Sequence, residues 1–535
     1  MLLILSARIV NEDISLHYGR LPPSFLPLGN RRLFSWQADL ANGGAVAMTV
    51  PENYEISDID MAEIKAAGIR LLPQPSSYSL TDAIRAAVAT LKPDGPLRLL
   101  YGDTLVRGTD DAPDGTDRVA VQGTSSNYPW AYVVDDNDGG TEFSDTPPRQ
   151  LGARRVVCGD YTFADPDLLV KACDGQGIIE ALNTYHQTRP LELVQAEDWF
   201  DFGHLPLYFQ SKKQVMIKRV FNQLAYENHL LIKQSADTHK IRAEAHWYES
   251  LPGELHIHTP RYRGRVERNH QAGYAIEYLY HPLLSDLAGF GALPLPSWLE
   301  IMGACFEFAE KCHAIRPDDG APEAAPAFAS AFFDTMIAGK TWERLEAYST
   351  ASGMSLDEPF TLNGTEIDSV RSVVEGVIAK IPATTQDDIR FWHGDMFFGN
   401  MFYDFTARRI LAIDPRGQMA AGQYCLFGDL RYDLAKLAHS VIGQYDKIIL
   451  GRASLVENGP RNWDLTLSAQ PHQSQIEAIF MKEIQTRYGL DPDVLIAMTA
   501  LLFFSMLPLH GDRPDLQKQM LANGLRLATL PKGSL

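Results

Sequence analysis

Residues 391–418, FWHGDMFFGNMFYDFTARRILAIDPRGQ, constrain the fold more tightly than any other stretch of the chain. Gly394 and Gly399 break any regular helix, so Asp395 is expected in a loop, and the runs MFYD and RRILAID read as the two strands of a hairpin. Such a hairpin turns Asn400 and Asp414 back toward Asp395, so two carboxylates and a carboxamide come from one local unit. Metal-dependent phosphoryl transfer needs that donor set. One carboxylate takes up the proton of an acceptor hydroxyl, while an Asn and a second Asp hold the Mg²⁺ that bridges nucleotide phosphate oxygens.

At 535 residues the chain exceeds what one hydrophobic core supports, and roughly two to four folding units of about 100–200 residues are expected. Residues 1–210 alternate short apolar runs (LLIL, AVAMTV, LRLLYGD, VVCGDYTF) with helical and loop patterns, which predicts a largely parallel α/β sheet. The Gly-, Asp-, Pro- and Ser-rich stretch 108–150 reads as a long surface excursion around a short hairpin at YPWAYVV. From about Lys212 the texture changes. IKRVFNQLAYENHLLIKQS reads as two strands and a turn, KIRAEAHWYESL as an amphipathic helix, and 285–385 and 470–530 as mostly helical. The boundary is therefore placed between residues 211 and 212.

The balance of 48 Lys plus Arg against 67 Asp plus Glu, a formal charge of −19, argues against nucleic acid or anionic membrane as general partners. Cys158, Cys173, Cys305, Cys312 and Cys425 are scattered without metal-ligand spacing and read as reduced thiols of a cytoplasmic protein. The opening MLLIL is too short for a signal-peptide core and is read as a buried first strand, and no uninterrupted apolar run approaches the ~18 residues of a membrane span. His256-Ile257-His258 lacks a carboxylate partner and is read as a surface pair on a strand. Trp199, Phe200, Phe202, Tyr208 and Phe209 are read as packing. Oligomeric state is not legible.

HGDMFFGN resembles the H-G-D-x-x-x-x-N catalytic loop of the aminoglycoside phosphotransferase and choline kinase family, and Ile413-Asp414 resembles its metal-binding Ile-Asp, which stands where protein kinases have Asp-Phe-Gly. GDLRYDLAKL, 428–437, is similar to the family's D-P-x-x-D-L-A helix start, with Asp433 as a cap or anchor. Lys233 in LLIKQS and Glu244 in RAEAHWYESL match the phosphate-positioning ion pair of kinase-like folds, and GYAIEYLYHPLLSDL resembles the hinge strand. The resemblance implies an α+β protein-kinase-like domain over 212–535, with a small β-rich lobe to about 285 and a large helical lobe beyond. It implies Asp395 as base, Asn400 and Asp414 as Mg²⁺ ligands, Lys233 and Glu244 at the phosphates of ATP or another nucleoside triphosphate, and a small hydroxyl-bearing acceptor. Between Val220 and Leu230 no Gly-rich phosphate loop appears.

The first 211 residues resemble a Rossmann-like sugar-phosphate nucleotidyltransferase. GRLPPSFLPLGNRRLFSWQ is similar to P-K-x-L-L-P-V-G-N-K-P-L, and EDWFDFGHLPLYFQSK to W-x-D-x-G-T-x-x-x-Y. By that resemblance Asp103 and Asp201 are the two metal carboxylates. The family's G-x-G-x-R loop is absent, and Pro22-Pro23-Ser24 stands where its Lys belongs. Three readings stay open: a different donor, compensation by Arg8, Arg20, Arg31 or Arg32, or a degenerate domain. Together the two resemblances imply a small-molecule kinase coupled to a nucleotidyltransferase in a biosynthetic role such as surface polysaccharide or cell-wall precursors. The alternatives are a kinase with an inactive partner domain, or a non-catalytic nucleotide-binding scaffold.

Overall fold

The all-apolar run Leu2–Leu5 forms a strand buried on both faces, as a central parallel strand requires. In the computed structural model it pairs in parallel with Val46–Pro51 on one side and Leu97–Tyr101 on the other, and Ile69–Gln74 extends the parallel set. The structure describes residues 1–109, 116–135, 140–148, 152–219, 224–227, 229–268, 270–468 and 470–531. They form two units, Met1–Met216 and Ile217–Leu535.

In the first unit the sheet is mixed. Arg154–Phe163 runs antiparallel to Leu97–Tyr101 and also pairs with Arg118–Thr124, with a register break between Val157 and Tyr161. The hairpin expected at YPWAYVV forms between Tyr132–Asp135 and Thr141–Ser144; positions 110–115, 136–139 and 149–151 of the proposed excursion lie outside the described residues. A separate ribbon, Thr104–Arg107 against Asp198–Asp201, leaves the sheet just past Asp103. Gly102 permits that exit: a Cβ there would sit 2.7 Å from the Leu5 carbonyl oxygen. Phe200, Phe202, Tyr208 and Phe209 are buried, in keeping with packing.

In the second unit four antiparallel strands stand in the order Leu224–Glu227, Leu230–Gln234, Gln271–Glu277, Tyr262–Arg268, covered by the helix Thr238–Glu249. Much of the region 220–230 read as lacking a glycine loop, namely 220–223 and 228, lies outside the described residues. The remainder is mainly helical, built on Leu295–His313, Leu430–Val441, Pro492–Met506 and Pro514–Ala528.

The structure refines two expectations and corrects a third. The region 285–385 is not helical throughout: Phe360–Leu362 and Thr365–Ile367 form a hairpin that joins Ala453–Gly459 and Asn462–Leu467 in a second sheet. Its turn places Asn363 and Gly364 at φ 50° and 73°, the pattern of a tight Asn-Gly turn, but three-residue strands are too short to show a period. His256 to His258 lie in the short helix Gly253–His258, not on a strand, and His258 is buried. Lys311 Nζ lies 3.0 Å from its Nε2, which leaves Nδ1 to donate to the Ile410 carbonyl at 3.1 Å, a neutral structural histidine. Finally, the stretch Pro492–His510 is long and apolar enough to cross a membrane by length and composition, and 67% of it is buried in the fold. A core helix surrounded by other helices passes the same test.

Candidate active sites

The strand Ile389–Phe391 delivers a loop that is held from below. Asp433, fully buried on the helix Leu430–Val441, accepts the His393 N–H at 2.8 Å and the Gly394 N–H at 2.7 Å. Asp433 is therefore an anchor and not a cap; the cap is Asp429, whose carboxylate accepts the Arg431 N–H. Gly394 turns the chain at φ 75°, where a Cβ would meet Arg416 Cβ at 2.6 Å. The Phe398 N–H donates to Ser440 Oγ at 2.9 Å, and Trp247 Nε1 donates to the Trp392 carbonyl at 2.9 Å, tying the loop to two helices.

Asn400 Nδ2 donates to the Asp395 carbonyl and to Asp395 Oδ2, each at 3.1 Å. The hairpin Met401–Asp404 with Arg409–Ala412 forms, and the Ile413 N–H donates to the Asn400 carbonyl at 2.9 Å, which sets Asp414 beside Asn400. Asp414 is left-handed, at φ 56°, a conformation an Asp adopts only where its surroundings hold it. Lys233 Nζ lies 2.7 Å from Glu244 Oε2 and 2.9 Å from Asp414 Oδ1. Tyr274 donates to the same Glu244 oxygen at 2.8 Å. Burial alone would lower the Lys233 ammonium, but Asp414 and Glu244 outweigh it and raise it, so the lysine stays charged.

Five residues widely spaced in sequence are thus brought together: Lys233, Glu244, Asp395, Asn400 and Asp414. Two further cations were not singled out by motif. Lys436 Nζ lies 2.8 Å from Asp395 Oδ1, and Arg416 Nε donates to the Gly394 carbonyl at 3.3 Å. Burial would raise the Asp395 carboxyl, but Lys436 and then Arg416 outweigh it and hold it well below the usual carboxylate range. Asp395 is ionised at neutral pH and ready to accept a hydrogen bond.

A hard cation fits here. Asn400 spends its amide N–H on Asp395, and its Oδ1 makes no hydrogen bond among the described residues; Asp414 spends Oδ1 on Lys233. One carboxylate and one amide oxygen are what Mg²⁺ takes from protein when phosphates supply its other ligands. In keeping with that sparse donor set, no cluster of three or more His, Cys, Asp or Glu suited to a metal occurs among the described residues.

In the first unit Asp103 and Asp201 line one cavity of about 420 Å³ together with Trp130, Trp199, Gly203 and His204. The Phe202 N–H donates to the Asp103 carbonyl at 2.8 Å, bringing the two loops together. Asp201 accepts from the Gly203 N–H at 2.7 Å and from Trp130 Nε1 at 2.5 Å. A Cβ on Gly203 would crowd Asp103 Oδ2 at 2.8 Å and Asp201 Oδ1 at 3.2 Å, so both carboxylates point at one spot. Burial, and next the charge of Asp201, push the Asp103 carboxyl up to about 7; burial likewise raises Asp201 against the Gly203 and Trp130 donors. Two buried carboxylates aimed at one spot, the one raised by the charge of the other, fit a divalent cation.

Of the four arginines considered as substitutes for the missing phosphate grip, Arg8 alone lines the adjoining cleft with Asp103 and Gly203. Arg32 is committed to a buried ion pair with Asp60 at 2.9 Å, and Arg31 pairs with Asp39 at 2.9 Å. Pro23 stands at the position of the absent Lys, and Ser24 beside it is buried and donates to the Gly102 carbonyl at 3.1 Å.

No protein-family model matches the chain, and no curated protein matches it. Similar solved structures include an inositol-1-phosphate CTP transferase from T. maritima, 10% identical, with 40% of this chain and 95% of that one covered and a TM-score of 0.32. They include a glucosamine kinase in complex with glucosamine, ADP and inorganic phosphate, 15% identical, covering 56% and 76%, TM-score 0.34. A glucosamine kinase in another crystal form is 14% identical, covering 58% and 72%, TM-score 0.32. A nucleotidyltransferase and sugar kinases thus both stand among the structures similar to this chain.

Proposed function

We propose that the second unit is a Mg²⁺-dependent kinase that moves the γ-phosphoryl group of ATP, or of another nucleoside triphosphate, to a hydroxyl of a sugar or amino alcohol. The observation that carries this reading is the convergence of Lys233 on Glu244 and Asp414 at 2.7 and 2.9 Å, next to the bonded pair of Asn400 and Asp395. Lys233, braced by Glu244, grips phosphate oxygens; Asn400 and Asp414 hold the metal. Bound Mg²⁺ supplies charge neutralisation at the phosphate oxygens. Asp395 orients the acceptor hydroxyl and receives its proton as the new P–O bond forms and the bond from the γ-phosphorus to the β–γ bridging oxygen breaks, leaving the diphosphate. The low affinity of Asp395 for protons makes orientation its larger contribution, with the proton passing on to solvent.

For the first unit, the Asp103 and Asp201 pair favours metal-assisted nucleotidyl transfer, in which a phosphate oxygen of the phosphorylated acceptor bonds to the α-phosphorus of a nucleoside triphosphate and pyrophosphate leaves. The kinase product would then become a nucleotide-activated donor for surface or cell-wall synthesis. Purified protein with Mg²⁺, ATP and a panel of sugars, amino sugars and amino alcohols, with products weighed by mass spectrometry, tests the kinase assignment. A product heavier by one phosphoryl group, lost in Asp395→Ala, is expected; turnover retained by that variant would remove Asp395 from the role.

A further inference from the structure

Beside Asp395, two elements bring cations to one aromatic ring. Tyr432, 3% exposed on the helix Leu430–Val441, has Lys340 Nζ 3.5 Å from its hydroxyl and 5.9 Å from its ring centre. The Arg416 guanidinium lies 5.7 Å from the centre of the same ring. Lys436, one turn beyond Tyr432, reaches Asp395 at 2.8 Å and lies 5.8 Å from the Phe397 ring. Arg344, one turn beyond Lys340, donates to the Ser505 carbonyl at 2.8 Å. Lys340 opens the helix Lys340–Ser352 directly after the π-helical stretch Phe333–Gly339, and such wide turns are frequent at functional sites.

This cluster lacks its counter-charges. Lys340, Arg344 and Arg416 form no ion pair among the described residues, and the nearby Asp395 is already engaged by Lys436. The chief charges acting on Lys340 are the cations Arg416, Arg344 and Lys436, with Asp395 the one anion; burial first, and then those cations, drive its ammonium well below the ordinary lysine range. Glu343 partly offsets Arg344, from the exposed side of the helix. In a chain with a formal charge of −19, four cations gathered around one carboxylate are a local inversion. Like charges so placed cost stability unless a ligand compensates them. Neither Lys233 nor the pair of Asn400 and Asp414 belongs to this cluster, so it is separate from the residues proposed to hold nucleotide and metal.

We infer that Lys340 and Arg416, supported by Arg344, form an anion subsite beside Asp395, and that the acceptor is a hydroxyl compound already carrying a phosphate or carboxylate. This rests on the kinase reading of Asp395, and it narrows the acceptor class away from cationic amino alcohols. The anionic group docks on Lys340 and Arg416 while the hydroxyl faces Asp395. The transfer itself is unchanged: one P–O bond forms to the hydroxyl oxygen, the γ-phosphoryl bond to the diphosphate breaks, and the hydroxyl proton leaves through Asp395.

The test compares glucose, glucosamine, glucose 6-phosphate and glucuronate as acceptors with full-length protein, Mg²⁺ and ATP, alongside their binding by calorimetry in the presence of ADP. The phosphate or the carboxylate compound is expected to bind or react at least tenfold better than the uncharged sugar, and the two acids tell a phosphate site from a carboxylate site. In Lys340→Met that ratio should collapse toward one. Arg416→Lys, which keeps the charge but loses the planar fork, should retain part of it. Absence of any preference for either acid, whether or not a sugar is turned over, overturns the inference. So does a Lys340→Met loss that is equal for all four compounds, which would place Lys340 at the nucleotide. Acceptor-independent ATP hydrolysis by the wild type, lost in Asp414→Asn, tests the kinase reading by itself.

Discussion

Replacing Asp433 with Asn tests the support of the 393–400 loop without altering its shape. The carboxylate accepts two backbone N–H groups, from His393 at 2.8 Å and Gly394 at 2.7 Å, and is 0% exposed. In the variant one oxygen remains as an acceptor, while the new NH₂ faces an N–H it cannot bond. One buried donor is left unsatisfied, at about 1–3 kcal/mol, and the remaining bond loses the strength of a charged acceptor, bringing the local loss to about 2–4 kcal/mol. Because Asp395 follows Gly394 directly, the loosened loop no longer fixes its carboxylate, and about a hundredfold loss of kcat/KM is expected. Amide hydrogen exchange reads the cause directly. The His393 and Gly394 amides should exchange about 30- to 1000-fold faster, since each 1.4 kcal/mol of local opening is tenfold, while strands of the Met1–Met216 unit keep their protection. Unchanged exchange at both amides, or activity within threefold of wild type, would refute the reasoning.

Three other outcomes follow from the same geometry. Lys233→Met leaves Glu244 and Asp414 without their shared cation and should lower kcat/KM for the nucleotide by a factor of 10² or more, measured by varying ATP at saturating acceptor. Asp103→Asn and Asp201→Asn should each abolish pyrophosphate release from nucleoside triphosphates with sugar phosphates while phosphoryl transfer by the other unit continues; pyrophosphate release that survives both changes removes the pair from the chemistry. Asp446 is buried, and burial pushes its carboxyl from 3.8 up to about 7. A raised carboxyl favours the folded state in its protonated form, so its contribution is full below 3.8 and is lost as pH rises through about 7, a span of a few kcal/mol. Asp446→Asn should flatten that loss, so urea midpoints of variant and wild type should diverge between pH 5 and 8.5, with the variant the more stable at the higher pH.

Legibility in the sequence followed the length of the signal. LLIL is a buried strand because an unbroken apolar run suits a sheet covered on both faces, and LRLLY joins it as a strand whose one charge, Arg98, is paired with Asp160. The loop–hairpin unit around Asp395 was readable since its glycines, its strands and its polar donors all lie within 28 residues, 391–418. The hairpin at Phe360–Leu362 and Thr365–Ile367 escaped because its strands span three residues each, and only the Asn363-Gly364 turn could have marked it. The cations around Tyr432 escaped for a different reason. Lys340, Arg416 and Lys436 come from separate elements, and no local spacing records that they meet. Arg32 shows the reverse, for it looks available for phosphate in sequence, and its commitment to Asp60 is a tertiary fact 28 residues away.

The central claim, phosphoryl transfer centred on Asp395, is tested most directly by following γ-labelled ATP with full-length wild type and Asp395→Asn, in Mg²⁺ and after chelation, across the acceptor panel. The account predicts a labelled acceptor with wild type and Mg²⁺, loss of label on chelation, and a drop of at least 10³ in kcat for Asp395→Asn with little change in the KM for ATP. Equal label transfer by wild type and variant, or transfer indifferent to the removal of metal, would contradict it.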